Sequence, residues 1–138
     1  SYDDMKDKEY PSNVKVVPYI DDMTRVMKKT DLIVSRAGAS TLSEIMVLQV
    51  PSILVPSPYV PNNHQYKNAL DLTKNDAALL IEEKDLKREI LVNTIDAILN
   101  DEEKIKKMKK ELENMSIKDS ANKIYEAIKE KCELWLKI

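Results

Sequence analysis

The sequence predicts an α/β fold, in which a parallel sheet of about four strands has flanking helices and is followed by a helical C-terminal extension. Two patterns predict it. Short aliphatic and β-branched runs alternate with segments of helical periodicity, which is typical of βαβ units. The runs are nearly continuously apolar and do not alternate with polar residues, as expected of strands that helices cover on both faces.

Four apolar runs give the predicted strands, and prolines close the first run and bracket the third. Helical spacing between the runs predicts three helices, the first with Asp21 or Asp22 as its N-cap. The predicted strands are residues 14–19, 31–35, 51–56 and 77–81. The predicted helices are residues 23–27, about 41–48 and 64–74.

From residue 85 onward the pattern is purely helical. Three apolar stripes predict three helices, of which Asp101 caps the second. We expect a compact sheet domain that lacks strands on its N-terminal side, because such sheets usually begin with a glycine-rich phosphate loop and none is present. The expected regions are a polar lead-in at 1–13, the sheet domain at 14–100 and C-terminal helices at 101–138 that pack on the same domain.

Composition excludes several classes of function. With 22 basic and 24 acidic residues, the charge of -2 gives no reason to expect nucleic acid or an anionic membrane as the main partner. No apolar run approaches the roughly 20 residues that span a bilayer, and the charged first nine residues do not form a signal peptide. One cysteine and one histidine argue against a disulfide or a zinc site, and suit a reducing cytoplasm.

The strongest candidate for a binding site follows the second predicted strand. Gly38, the chain's single glycine, would allow either a positive φ or the close approach of a ligand to the backbone. The helix after it offers free N–H groups to a phosphate, and Glu44 is placed to accept hydrogen bonds from ribose hydroxyls. The alternative is a capping box, in which Thr41 and Glu44 bind the amides of their own helix. The local pattern alone favours the capping box.

A second candidate loop follows the third predicted strand. Asn63, Gln65 and Asn68 offer uncharged donors and acceptors that suit sugar hydroxyls, with His64 among them. The alternative is that Asn62 or Asn63 caps the next helix and the other residues are surface. His64 is a possible general base, although a lone loop histidine is more often an ordinary polar contact. The sequence contains no nucleophile elbow, P-loop lysine motif or GxGxxG, which argues against hydrolases, NTPases and dehydrogenases.

Four segments in this order resemble the C-terminal domain of the MurG family, bacterial GT-B glycosyltransferases that add N-acetylglucosamine to lipid I in peptidoglycan synthesis. The resemblance covers about residues 14–101 and implies a Rossmann-like domain that holds UDP-N-acetylglucosamine. The segments are Pro-Tyr-Ile-Asp-Asp-Met at 18–23, Asp-Leu-Ile-Val-Ser-Arg-Ala-Gly-Ala-Ser-Thr-Leu-Ser-Glu at 31–44, Pro-Ser-Ile-Leu-Val-Pro at 51–56 and Asn-His-Gln-Tyr-Lys-Asn-Ala at 63–69.

The resemblance also implies roles for single residues. Tyr19 and Ile20 would lie against the uracil, and Glu44 would bind the ribose. The diphosphate would lie at the start of the helix, and the N-acetylglucosamine beside the second loop. The resemblance implies no metal, no cofactor and no catalytic residue within this chain. The residues at the diphosphate would be Gly38, Ser40 and Thr41, and those at the sugar His64, Gln65 and Asn68.

The family's N-terminal domain, with the lipid I site and the membrane contact, has no counterpart in this sequence. We therefore expect a fragment or one subunit of a split enzyme, without transfer activity or membrane insertion of its own. The whole protein would be cytoplasmic and peripheral on the inner membrane. The alternatives are a non-catalytic nucleotide-sugar-binding or partner subunit and, less favoured by the motifs at Tyr19 and Gln65, a UDP-sugar epimerase.

Overall fold

A computed structural model describes residues 1–136, and within them three short parallel strands form one sheet in the order β1–β2–β3. The strands are β1 Ile33–Ser35, β2 Ser52–Leu54 and β3 Leu79–Leu80. The helices are α1 Met23–Met27, α2 Ala39–Leu48, α3 His64–Lys74, α4 Arg88–Leu99 and α5 Glu102–Leu136, and 3₁₀ turns lie at Pro61–Asn63 and Glu83–Asp85. The predicted α/β class is confirmed.

The register of the sheet places the carboxyl ends of all three strands at one edge. Ile33 pairs with Ser52 and Ile53 pairs with Leu79, both in parallel ladders. β2 is the central strand and is fully buried, as its continuous apolar run predicts. The loops that lead from β1 into α2 and from β2 into α3 therefore leave the sheet side by side.

The prediction of a strand at residues 14–19 is wrong. This segment forms no ladder with β1, and its valines are exposed, with 46% of Val14 and 39% of Val17 accessible. The Val14 amide donates to the carbonyl of Pro11, which is a turn contact. A strand needs a paired strand to satisfy its backbone groups, and among the described residues no strand pairs with this segment.

Helices cover both faces of the sheet, as predicted. On one face, Ile45 of α2 and Leu72 of α3 share a core with Leu54, and on the other Ile98 of α4 packs with Ile53. α5 joins both, because its Met108 belongs to the second core and its Leu112 to the first.

The C-terminal region differs from the prediction in one respect. The two helices predicted after Asp101 form the single helix α5, because no glycine or proline interrupts residues 102–136. Asp101 caps it as predicted, accepting a hydrogen bond from the Lys104 amide at 3.0 Å. The last two residues of the predicted 101–138 region lie outside the described residues. No helix in the described part of the chain has the length and apolar character needed to cross a membrane.

Candidate functional site

The first turn of α2 leaves its backbone donors free. The helix begins at Ala39 with Gly38 as its N-cap, and the Leu42 amide makes the first helical hydrogen bond, to the Gly38 carbonyl at 3.0 Å. The amides of residues 38–41 consequently have no partner inside the helix, and no side chain caps them. Together with the helix dipole they form a positively polarised end at the edge where the strands terminate.

The capping-box interpretation of this helix is wrong. Since Gly38 takes the N-cap position with extended backbone, Thr41 is the third residue of the helix and Glu44 the sixth. A capping box would need Thr41 at the N-cap and Glu44 at the third position. Both side chains are thus released from capping, and both are half-buried.

Gly38 is not needed for an unusual backbone angle. Its φ of -68° is open to any residue, so a positive φ, one of its two predicted uses, is not present. A Cβ placed on Gly38 would meet no atom within 4 Å. The space in front of this backbone is therefore open, which is what the close approach of a ligand requires.

Beside α2 lies a cleft of about 530 Å³ that brings four of the predicted residues together. Tyr19 and Ile20 form part of one wall, and Thr41 and Glu44 come from α2. Tyr19 is 76% exposed, so its ring is available to a ligand. The other lining residues are mainly apolar: Val17, Pro18, Met23, Met27, Ile33 and Ser35. An apolar wall opposite a carboxylate suits a flat ring that carries a hydroxylated sugar.

None of the remaining predicted residues lines this cleft, and Asn68 lines a separate cavity of about 350 Å³ with Ala39 and Leu42 of α2. Ser40 is exposed on the first turn of α2, and its amide is one of the free donors. His64 is exposed as the first residue of α3. Gln65 directly follows it and Asn68 lies one turn further along α3, and both are half-buried.

Gln65 and Asn68 connect α3 to the loop that carries Gly38. The Gln65 Oε1 atom accepts hydrogen bonds from the Ala37 amide at 3.3 Å and the Ser57 amide at 2.9 Å. The Asn68 Nδ2 atom donates to the Ala37 carbonyl at 3.4 Å. These side chains thus hold the backbone next to Gly38, a role that the sequence did not indicate. The Gln65 Nε2 group donates no hydrogen bond within the described residues.

The start of α3 has an unusual backbone. Asn62 and Asn63 both have positive φ, at 56° and 54°, in the left-handed region that asparagine tolerates better than most residues. Asn63 occupies the N-cap position, but neither asparagine side chain caps the helix. Asn63 is thus the N-cap residue, as one alternative expected, but it supplies a left-handed backbone and no side-chain hydrogen bond.

Arg36 is a residue of this edge that the sequence reasoning missed. Its Nη1 atom lies 3.3 Å from the Val55 carbonyl, 3.5 Å from the Pro56 carbonyl and 2.6 Å from Glu83 Oε2. It therefore connects the ends of β1 and β2 to the turn after β3. Its position between a strand and Gly38 could have indicated that Arg36 lies at the site. Nothing in the sequence indicates that it pairs with the distant Glu83.

Comparison with known proteins agrees with this architecture. Residues 2–124 match the family model of the glycosyltransferase family 28 C-terminal domain. The chain is 48% identical over 124 residues to a Bacillus cereus protein named UDP-N-acetylglucosamine--N-acetylmuramyl-(pentapeptide) pyrophosphoryl-undecaprenol N-acetylglucosamine transferase 1, covering 90% of this chain and 34% of the relative. A Listeria welshimeri protein of the same name without the number is 47% identical over 126 residues, covering 91% and 35%.

A solved structure is also similar. The crystal structure of Acinetobacter baumannii MurG matches with a TM-score of 0.65 and 30% identity, over 72% of this chain and 28% of that one. The chain spans about a third of the length of the curated relatives it matches. The family match covers most of the sequence, and the chain therefore belongs to the glycosyltransferase family 28 C-terminal domain family.

Proposed function

We propose that this chain binds UDP-N-acetylglucosamine and forms the donor-binding part of a glycosyltransferase that adds N-acetylglucosamine to lipid I. One observation carries the proposal. Tyr19, Ile20, Thr41 and Glu44 line a single cleft beside the free amides of residues 38–41. The names of the relatives, which state this donor and an undecaprenol-linked acceptor, support it.

Each part of the donor finds matching chemistry at this edge. The uracil would lie against Tyr19 and Ile20, and the Glu44 carboxylate would accept hydrogen bonds from the ribose hydroxyls. The diphosphate would bind the amides of residues 38–41, where the helix dipole favours an anion. The sugar would then lie towards α3, within reach of Gln65 and Asn68, with His64 adjacent.

In the proposed reaction the 4-hydroxyl of the acceptor attacks the anomeric carbon of the donor. A bond forms between that oxygen and the carbon, and the bond from the carbon to the phosphate oxygen breaks, so that UDP leaves. The α2 amides would stabilise the negative charge that develops on UDP, without a metal. The hydroxyl proton would pass to a base outside this chain.

The acceptor site and its base belong, in this proposal, to a further domain or a partner subunit. The matched residues make up only about a third of the length of the relatives, which leaves room for such a part. Since the acceptor in their names carries an undecaprenyl lipid, the whole protein would work at a membrane, on its cytoplasmic face.

A titration of the chain with UDP-N-acetylglucosamine, followed by amide NMR, tests the site. We expect the shifts to concentrate at residues 38–44 and 65–68. Glu44→Ala should weaken binding about tenfold or more, the effect of losing a hydrogen bond to a charged group. Glu82→Gln is a matched control, because that carboxylate lies outside the cleft and pairs with Lys84 at 3.1 Å. Shifts confined to other residues would refute the assignment.

A further inference from the structure

We propose that Arg36 is a positioning residue of the donor site, acting through the backbone that it holds and not by contact with the diphosphate. Its network, defined here as Arg36, Val55, Pro56 and Glu83, joins the carboxyl ends of all three strands. The inference rests on the proposed function, since the ligand affected is the donor proposed above.

The Nη1 atom of Arg36 is already engaged by protein oxygens. This atom faces two backbone carbonyls, and the Glu83 carboxylate 2.6 Å away supplies a full countercharge. A phosphate that took Nη1 would have to displace these three oxygens. Glu83 depends on it in turn, since its Oε2 atom is buried and makes no hydrogen bond of standard geometry within the described chain. Separating the pair would leave a buried carboxylate oxygen without a counterion.

The network reaches the donor site through the backbone of two residues, Ala37 and Ser57, each of which directly follows a member of the network. Arg36 precedes Ala37, whose amide and carbonyl bind Gln65 and Asn68, and Pro56 precedes Ser57, whose amide binds the same Gln65 oxygen. A shift of either loop would therefore move Ala37 and, with it, the free amides that begin at Gly38. Small displacements of binding groups are costly, since a misplacement of about 1 Å can cost on the order of 100-fold in activity.

Glu82 does not compete with Glu83 for Arg36, and Lys84 does not compete with Arg36 for Glu83. The Lys84 ammonium lies 3.1 Å from Glu82, and hydrogen bonding to Glu82, with the charges of Glu82 and Asp85, raises the pKa of Lys84 above its usual value. Lys84 therefore stays cationic at neutral pH and forms an ion pair with Glu82. This leaves Glu83 as the carboxylate that pairs with Arg36.

The decisive variant is Glu83→Gln, because the two possible roles of Arg36 predict opposite effects. If Arg36 positions the loops, removing its counterion weakens UDP binding to the folded chain, by about tenfold. If Arg36 contacts the diphosphate, the same change frees the guanidinium and leaves UDP affinity equal or higher. Glu82→Gln is the control, and it should leave UDP affinity unchanged.

Two further measurements complete the test. Glu83→Gln and Arg36→Gln should both speed hydrogen exchange of the Ala37 and Ser57 amides in the ligand-free chain, and the double variant should bind UDP no more weakly than Arg36→Gln alone. A merely structural role would lower the unfolding temperature without changing UDP affinity. Equal or tighter UDP binding by Glu83→Gln, or unchanged exchange in both variants, would overturn the proposal. Failure of the unaltered chain to bind UDP would instead refute the proposed function.

Discussion

The helices α2 and α3 begin at the same edge of the sheet, but their first turns are built in opposite ways. α2 starts at Gly38 with four amides free and open space before the backbone. α3 starts at two left-handed asparagines, and its polar side chains Gln65 and Asn68 bind the backbone of neighbouring loops.

The two helix starts therefore have different tasks, ligand binding and the positioning of the backbone, although the sequence pattern predicted ligand binding for both. The backbone of α2 is left available to a ligand, whereas Gln65 Oε1 and Asn68 Nδ2 of α3 hold the backbone beside it in place. Changes at the start of α2 should therefore affect binding more than stability, and changes at the start of α3 should affect stability first.

The largest effect is expected at Gln65. Gln65→Ala would leave the amides of Ala37 and Ser57 without their acceptor. Since each half-buried hydrogen bond contributes about 1 kcal/mol, the free energy of unfolding should fall by about 2 kcal/mol, as measured by urea denaturation. UDP affinity should fall as well, because Ala37 adjoins Gly38.

Ser40→Ala, on the exposed first turn of α2, is the matched control for that loss. It should change the free energy of unfolding by less than about 0.5 kcal/mol, as is usual for surface positions. Gln65→Glu, which keeps an acceptor oxygen, should recover most of the stability. Equal losses for Gln65→Ala and Ser40→Ala would show that α3 does not hold the loops.

The sequence predicted the parts of this edge that depend on local pattern. The strands around Ile33 and Ile53 followed from apolar runs bounded by prolines or polar residues, and the helix after Gly38 from its periodicity. The run at Val14 has the same composition, yet it forms no strand, because a strand also needs a partner that composition does not show.

The contacts that hold the candidate site escaped prediction for a related reason. Thr41 and Glu44 fitted a capping box, and only the structure shows that the helix starts two residues earlier, at Ala39. The bonds of Gln65 to Ala37 and of Arg36 to Glu83 join residues far apart in the chain. Spacing along one sequence carries no signal for such pairs.

The second prediction concerns Gly38. Gly38→Ala should keep the fold, since φ is -68° and the added Cβ meets no atom within 4 Å. The free energy of unfolding should change by less than about 1 kcal/mol, because alanine is a much poorer N-cap than glycine but also reduces the conformational entropy of the unfolded chain. UDP-N-acetylglucosamine affinity, measured by calorimetry, should fall about tenfold, equivalent to about 1.4 kcal/mol, because the methyl group enters the space proposed for the diphosphate.

Gly38→Ser sharpens this test. Serine is a better N-cap than alanine and should restore any lost stability, but its side chain occupies the same space and should weaken binding as alanine does. If donor affinity is lost in Gly38→Ala and recovered with stability in Gly38→Ser, Gly38 acts only as the N-cap of α2. Unchanged donor affinity in both variants would refute the proposal that the diphosphate binds in front of Gly38.

The smallest effect is expected at Asn63, whose φ of 54° lies in the left-handed region. Alanine is strained there, so Asn63→Ala should lower the free energy of unfolding by about 1 kcal/mol, whereas Asn63→Gly should stay within about 0.5 kcal/mol of the original chain. Neither side chain caps α3, so the difference between the two variants reports backbone conformation alone. If both variants lose the same stability, the asparagine acts through its side chain, and the scaffolding role of α3 would rest on Gln65 and Asn68 only.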